Sequence, residues 1–263
     1  MQIGFEKWEG LGNDFLLVRE TSISGELSPE LVRALCDRRR GVGGDGVLLV
    51  RADSPRMIVL NADGSRPEMC GNGLRCVAAM LAAEMGPLNA PRAMTVATDA
   101  GERRARVSFA GTEEALVEVD MGRAEIQEDS EHADEGRRVV FTSVSVGNPH
   151  AISFAPFDRG ERDRLGPLIE RSTAGGTNVE FAHKSGPASF DLVVWERGVG
   201  YTQACGTGAC ATAALACARG LTPYGEPIRV RLPGGELVIT VSAGLDIVMM
   251  GPARRVFRGT VEV

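Results

Sequence analysis

The sequence predicts a mixed α/β (α+β) fold of two pseudosymmetric halves produced by internal duplication, each half a curved mixed sheet around a buried central helix. Three observations predict it. Gly12-Asn13 recurs as Gly147-Asn148, and Cys70-Gly71-Asn72-Gly73 recurs as Cys205-Gly206-Thr207-Gly208, both at one spacing of about half the chain. Each half carries short β-branched or alternating runs. Each half also holds one helical segment that is apolar almost all round, and a helix without a polar face belongs in a core.

The strand runs in the first half are Val47–Val50, Met57–Leu60, Met94–Thr98 and Leu116–Val119. In the second half they are Val139–Val146, Ala151–Phe154, Phe190–Trp195, Ile228–Leu232 and Leu237–Val241. Alternation and β-branching make these strands. The two buried helices are read from Leu74 (LRCVAAMLAAEMG) and from Ala209 (ACATAALACARG), with Gly86 and Gly220 at their stops. The halves are expected at residues 1–122, rejoined by a terminal strand 252–263, and at 139–251. Between them, residues 123–138 hold Glu125, Glu128, Asp129, Glu131, Asp134 and Glu135 and read as a solvated linker.

Composition narrows the function. The chain has 263 residues, 43% hydrophobic, 24% charged and 5% aromatic, which are globular proportions. A net charge of −6 and a pI near 5.3 argue against nucleic acid or an anionic membrane as partner. No apolar run approaches the roughly 20 residues of a membrane span. The start MQIGFEKWEG lacks the basic and apolar regions of a signal peptide, so a cytoplasmic enzyme with a small-molecule substrate is expected. Lys7 and Lys184 are the only lysines, and neither sits in a pyridoxal-phosphate-like motif, so Schiff-base chemistry is disfavoured.

The six cysteines are expected to be reduced thiols. Cys70/Cys76 and Cys205/Cys210 are spaced unlike a zinc knuckle, so no metal is expected. Cys36, Cys76, Cys210 and Cys217 lie in apolar or helical surroundings and read as core residues. Cys70 and Cys205 differ, because each precedes a Gly-rich entry to a buried helix. A helix start stabilises a thiolate and can hold a carboxylate. With the halves related by an approximate twofold axis, two thiols are expected to face one substrate atom across the cleft between them. Two acid/base groups on opposite faces of a carbon are what stereoinversion requires.

At these residues the sequence resembles the bacterial diaminopimelate epimerase family. The segments GLGNDF, NADGSRPEMCGNGLRC, SVGNPH, TNVEF, WERGVGYTQACGTGA and LPGGEL follow the family's signatures in order, from about residue 7 to the C-terminus. The resemblance implies a cofactor-independent isomerase interconverting LL- and meso-2,6-diaminopimelate, an intermediate in lysine and peptidoglycan precursor biosynthesis. It implies catalytic thiols at Cys70 and Cys205, with His150 and Glu196 adjusting their pKa values. It implies substrate contacts from Asn13, Asn61, Asn148 and Asn178, whose amides both donate and accept. Glu196 and Arg197 join them, the guanidinium fork suiting a carboxylate. Backbone donors are implied at Gly71-Asn72 and Gly206-Thr207. A homodimer is implied as well. The competing possibilities are a cofactor-independent racemase of another amino acid on the same cysteine pair, and a thiol redox or amino-acid-binding protein.

The chain departs from the family pattern at four positions. Thr207 stands where many members have Ser, and Trp195 where many have Tyr. Gly46 replaces a glutamine that some members carry, and Phe257 falls where some have a tyrosine linked to dimer contacts.

Overall fold

The structure, a computed structural model, describes residues 2–262 apart from 24, 26, 87–89 and 110–113. In chain order the strands and helices begin with β1 (Gln2–Gly10), β2 (Asn13–Arg19), α1 (Pro29–Cys36), β3 (Gly46–Arg51), β4 (Arg56–Asn61) and α2 (Gly71–Glu84). Then come β5 (Arg92–Thr98), β6 (Gly101–Phe109), β7 (Glu114–Arg123), β8 (Glu125–Asp134), β9 (Arg137–Ser145) and β10 (Pro149–Ser153). The rest are α3 (Arg159–Ser172), β11 (Asn178–Gly186), β12 (Ser189–Glu196), β13 (Gly200–Tyr201), α4 (Gly206–Ala218), β14 (Ile228–Leu232), β15 (Gly235–Val241) and β16 (Asp246–Glu262). The chain divides into two units, Met1–Asp120 with Met250–Val263, and Met121–Met249.

In the first unit the strands run in the order β1 to β7, then β16, and β16 pairs back with β1, so the strand path closes on itself. α2 packs against β1 to β6 and is buried at every residue from Gly71 to Ala82. Small side chains make that possible, since Ala78, Ala79 and Ala82 let strands approach from several sides. Arg75 is fully buried on this helix, and its Nε donates to the Pro252 carbonyl at 3.1 Å, which ties the terminal strand to α2. α1 starts on an Ser28 cap with Pro29 in its first turn and buries Val32, Leu35 and Cys36 against Ile3, Leu16 and Val47.

The second unit repeats the pattern of strand pairing. From β1 to β6 the successive pairs are antiparallel, parallel, antiparallel, parallel and antiparallel. From β9 through β10, β11, β12 and β14 to β15 the same alternation holds. Each parallel pair is joined through a helix, as parallel strands require a crossover: α1 and α2 in one unit, α3 and α4 in the other. α4 packs on β9, β10, β11, β14 and β15 and is buried from Ala209 to Cys217. α3 opens with an Asp158–Glu161 capping box and covers Phe141 and Phe181 with Leu165 and Ile169.

Three expectations are corrected. Residues 125–134 of the expected linker form β8, paired with β9 in a register that sets Ser130 opposite Phe141 and His132 opposite Val139. Its acidic residues do not prevent a strand, because two of them meet arginines at close range, Asp129 with Arg219 at 2.6 Å and Asp134 with Arg164 at 2.7 Å. The two central helices each begin three residues earlier than Leu74 and Ala209, at Gly71 and Gly206, because the preceding cysteine caps the turn. All six cysteines are free, as expected, and among the described residues no helix is long and apolar enough to cross a membrane.

Two outcomes follow from this packing. A Cβ on Gly46 would lie 2.6 Å from the Leu60 carbonyl oxygen, so the backbone approach between β3 and β4 leaves no room there for the glutamine that some members of the resembled family carry. Gly46→Ala should lower stability by about 1–3 kcal/mol, measured by denaturant unfolding; unchanged stability would show that β3 shifts freely. Burial pushes the Cys36 thiol up to about 11 from an ordinary value of 9.0. Between those values the folded chain keeps a proton the unfolded chain has released, so this contribution is whole below pH 9 and is lost as pH rises through 11. Cys36→Val should therefore show a shallower loss of stability between pH 9 and 11 than the parent chain, and equal slopes would refute the assignment.

Candidate active site

A helix start leaves backbone N–H groups that need acceptors. At α2 the acceptor is a thiol. Cys70 is extended (φ −140°, ψ 111°), and its Sγ accepts the Gly73 N–H at 3.4 Å. The glycine at that third helical position suits the packing, because a Cβ there would lie 3.0 Å from a Leu48 methyl, which would have to move aside. Asn72, buried in the same turn, donates Nδ2 to Asn13 Oδ1 at 3.1 Å, and Asn13 donates Nδ2 to Asp45 Oδ2 at 2.6 Å. Asp45 also accepts the Asp14 backbone N–H and meets Arg38 at 2.7 Å. Lys7, buried, pairs with Asp14 at 2.6 Å and donates to the Gly43 carbonyl. Burial opposes the charge on Asp14, yet hydrogen bonds from Arg38 and Lys7 outweigh it and hold the carboxyl below its ordinary range. Asn61 ends β4 opposite Gly46 and donates to Ser65 Oγ at 3.0 Å, inside a turn closed by Gly64.

The second unit builds the same cap with different neighbours. Cys205 is extended (φ −116°, ψ 102°), its Sγ accepts the Gly208 N–H at 3.3 Å and lies 3.6 Å from Thr207 Oγ1. Asn148 donates Nδ2 to Thr207 Oγ1 at 3.2 Å, and its Oδ1 sits 3.0 Å from His150 Nε2. His150 Nδ1 lies 2.6 Å from Glu180 Oε1, with both side chains fully buried. These two residues stand on the paired parallel strands β10 and β11. Burial pushes the Cys205 thiol well up, and the negative charges of Glu196 and Glu180 add to the rise, against hydrogen bonds from Thr207 and Gly208.

Asn178 and Arg197 are built into the same unit. Asn178 donates Nδ2 to the Pro149 carbonyl and accepts the Arg197 N–H, both at 3.0 Å, so its amide ties the start of β10 to the residue that follows β12. The Arg197 side chain donates to the Gly175 carbonyl at 3.2 Å. Glu196 accepts from Thr202 Oγ1 at 2.6 Å. Trp195 donates to Glu170 at 2.7 Å, and its ring leaves no space for a Cβ at Gly166.

The structure thus joins Asn72, in the turn that Cys70 caps, to Asn13, and brings Asn148, His150, Thr207 and Cys205 into one hydrogen-bonded cluster. Asn61 lies beside the first of these groups through Asp45, whose carbonyl accepts the Ala62 N–H. Asn178, Glu196 and Arg197 form a third group at the β11–β12 ends. Two residues of the clusters escaped sequence reasoning. Asp45 lay in a Gly-rich loop where an aspartate passes for a turn residue. Glu180 carried a readable signal, a lone charge in the apolar run Val179–Ala182 on the same strand face as Asn178. His150, Glu180 and Cys205 offer one donor atom each within 4.8 Å of one another, a set that could hold a metal ion. In this structure the imidazole and carboxylate are instead bonded directly to each other at 2.6 Å.

Known proteins resemble the chain along its whole length. The family model described as diaminopimelate epimerase matches residues 5–127 and 142–256. The diaminopimelate epimerase of Desulforudis audaxviator is 43% identical, the match covering 97% of this chain and 98% of that one. That of Desulfitobacterium hafniense is 39% identical over 97% and 96% of the two chains. Among solved structures, a hydroxyproline epimerase from Agrobacterium vitis superposes with a TM-score of 0.73 at 16% identity, over 99% of this chain and 92% of that one. A phenazine biosynthesis protein from Bacillus anthracis gives 0.73 at 14% identity over all of both chains. The distant structures share the fold; the close relatives decide the family. With both cysteine caps in place and the match running through both units, this chain belongs to the diaminopimelate epimerase family.

Proposed function

We propose that this isomerase interconverts LL- and meso-2,6-diaminopimelate by moving the proton at one α-carbon, with Cys70 and Cys205 as its acid and base. The observation that carries the reading is the repeated cap: each unit starts its buried central helix with a cysteine whose Sγ accepts the N–H three residues on. Inversion needs one group to remove a proton and another to deliver one to the opposite face. A thiol is suited to both tasks, having a reference pKa of about 8.5. The positive end of each helix favours its thiolate form.

The remaining groups have proposed roles that agree with their surroundings. Backbone donors at Gly71-Asn72 and Gly206-Thr207 suit the substrate carboxylate, where charge builds during deprotonation. Asn13, Asn61, Asn148 and Asn178 suit its ammonium and carboxylate groups, and Arg197 its distal carboxylate. His150 and Glu196 adjust the thiols, Glu196 as a negative charge that favours protonated Cys205. No cofactor takes part in these steps. The chain is proposed to act in the cytoplasm as a homodimer. In support, Val256 and Phe257 on β16 are half exposed, with Phe257 edge-on to Phe5 at 5.8 Å, an apolar patch suited to a second copy.

Serine keeps the shape of cysteine but is far less acidic, so Cys70→Ser and Cys205→Ser should each lose epimerisation by several orders of magnitude. Cys76→Ser, Cys210→Ser and Cys217→Ser should cost mainly stability, by placing a hydroxyl in a helix core. Epimerisation and α-proton exchange in deuterated water, with unfolding measured in parallel, separate the two classes. Near-normal turnover by Cys205→Ser would overturn the two-thiol mechanism. Removing the charge of Glu196 should make Cys205 easier to ionise. Glu196→Gln should accordingly move the pH onset of Cys205 alkylation by iodoacetamide downward, followed by peptide mass spectrometry.

A further inference from the structure

Glu180 is the fully buried charge of the second unit that the reaction as described leaves without a task. Its side chain is 0% exposed, Oε1 meets His150 Nδ1 at 2.6 Å, and Oε2 is buried without a hydrogen-bond partner. The space it fills is kept open by a glycine: a Cβ at Gly208 would lie 2.6 Å from Glu180 Oε1 and 3.2 Å from Cys205 Sγ. Carboxylate and thiol are therefore neighbours by construction at the start of α4.

His150 lies between two acceptors. Asn148 donates its Nδ2 to Thr207 and so turns Oδ1 toward His150 Nε2, while Glu180 faces Nδ1. Two acceptors on one ring suit an imidazolium, in which both nitrogens donate. Isolated, such a cation would be costly at full burial; beside an ionised Glu180 the pair is neutral overall. The ionisable groups around Cys205 are then His150 on β10, Glu180 on β11 and Glu196 at the end of β12.

We infer that Glu180 is a positioning residue for Cys205: it fixes the His150 ring through Nδ1–H and supplies the negative charge against which His150 holds the proton that Cys205 gives up. In that step the S–H bond breaks, the electron pair stays on sulfur, and the proton forms an N–H bond on the imidazole. The thiolate then takes the substrate α-proton, and the reverse sequence restores the thiol. This logic is that of a nucleophile, a histidine and an orienting carboxylate. It rests on the reading of Cys205 as one of the two acid/base thiols.

The test is Glu180→Gln, which keeps shape and removes charge. If Glu180 acted only as an anion near sulfur, its loss would move the onset of Cys205 alkylation to lower pH, as for Glu196→Gln. If it supports the imidazolium, the onset moves to higher pH, by about one unit, and kcat falls about 10–100-fold with KM within about twofold. Glu180→Asp, keeping the charge but retracting it, should recover part of kcat. A downward or unmoved onset with kcat unchanged overturns the inference. Should Cys205→Ser keep turnover, the epimerase assignment of the thiol fails instead, and the alkylation readout still reports on Glu180. A measurement on the unaltered protein covers the case in which the variants do not fold. The chain has three histidines, so the ring nitrogens of His150 can be resolved by nitrogen-15 NMR. Nδ1 should carry the proton that faces Glu180; an unprotonated Nδ1 overturns the inference.

Discussion

A thiol closing the first turn of a helix is the interaction on which the candidate chemistry rests, and it constrains everything near it. For Sγ to accept the N–H three residues on, the cysteine must be extended and the chain must turn at once into the helix. The third helical residue then lies hard against a neighbouring side chain, Leu48 in one unit and Glu180 in the other, which would have to shift for any residue larger than glycine. The helix must also be buried, or water would compete for the same N–H groups. Small residues on α2 and α4 meet that demand by letting strands pack on several faces. Capping, glycine placement and the alanine-rich cores are thus one requirement seen at three scales.

The two caps share geometry, but the groups built into their first turns differ. The turn after Cys70 carries Asn72, bonded to Asn13 and anchored by Asp45 and behind it by the Lys7, Asp14 and Arg38 charges. Those charges are mutually compensated, so Asn13 and Asn72 are held in place without a net field from an unpaired ion. Around Cys205 stand two carboxylates and an imidazole, with Glu180 and His150 fully buried and Glu196 half-buried. There burial and negative charge both favour the neutral thiol. Drawing a proton from it calls for a nearby base that is itself stabilised once charged, and the His150–Glu180 pair has that character.

Repetition organises the molecule as well as its candidate site. The order of parallel and antiparallel pairs recurs from unit to unit, and the helices fall at matching crossovers. β16 pairs with β1 and closes the strand path of the first unit, and β8 stands in the matching place beside β9. Buried Arg75 reinforces that closure from within, reaching the Pro252 carbonyl on β16.

Local chemistry made part of this readable from residues alone. The duplicated Cys-Gly-x-Gly entries, the two helices without a polar face and β14, whose bounds agree at Ile228–Leu232, follow from period and composition, which act along the chain. The helix starts were misread because two glycines in a turn argue against a helix, and the compensating thiol bond exists only after folding. β8 was misread because its acidic residues carry no apolar alternation; its backbone is paired by β9, and arginines distant in sequence, Arg164 and Arg219, take its charges. Asp45 and Glu180 gained meaning only through partners 32 and 30 residues away, Asn13 and His150. The sequence by itself determined the duplication, the buried helices and the repeated Cys-Gly-x-Gly entries, since those depend on neighbours in the chain. Tertiary structure alone decided which charges stand beside each thiol, because burial and electrostatic coupling depend on distances that no local pattern encodes.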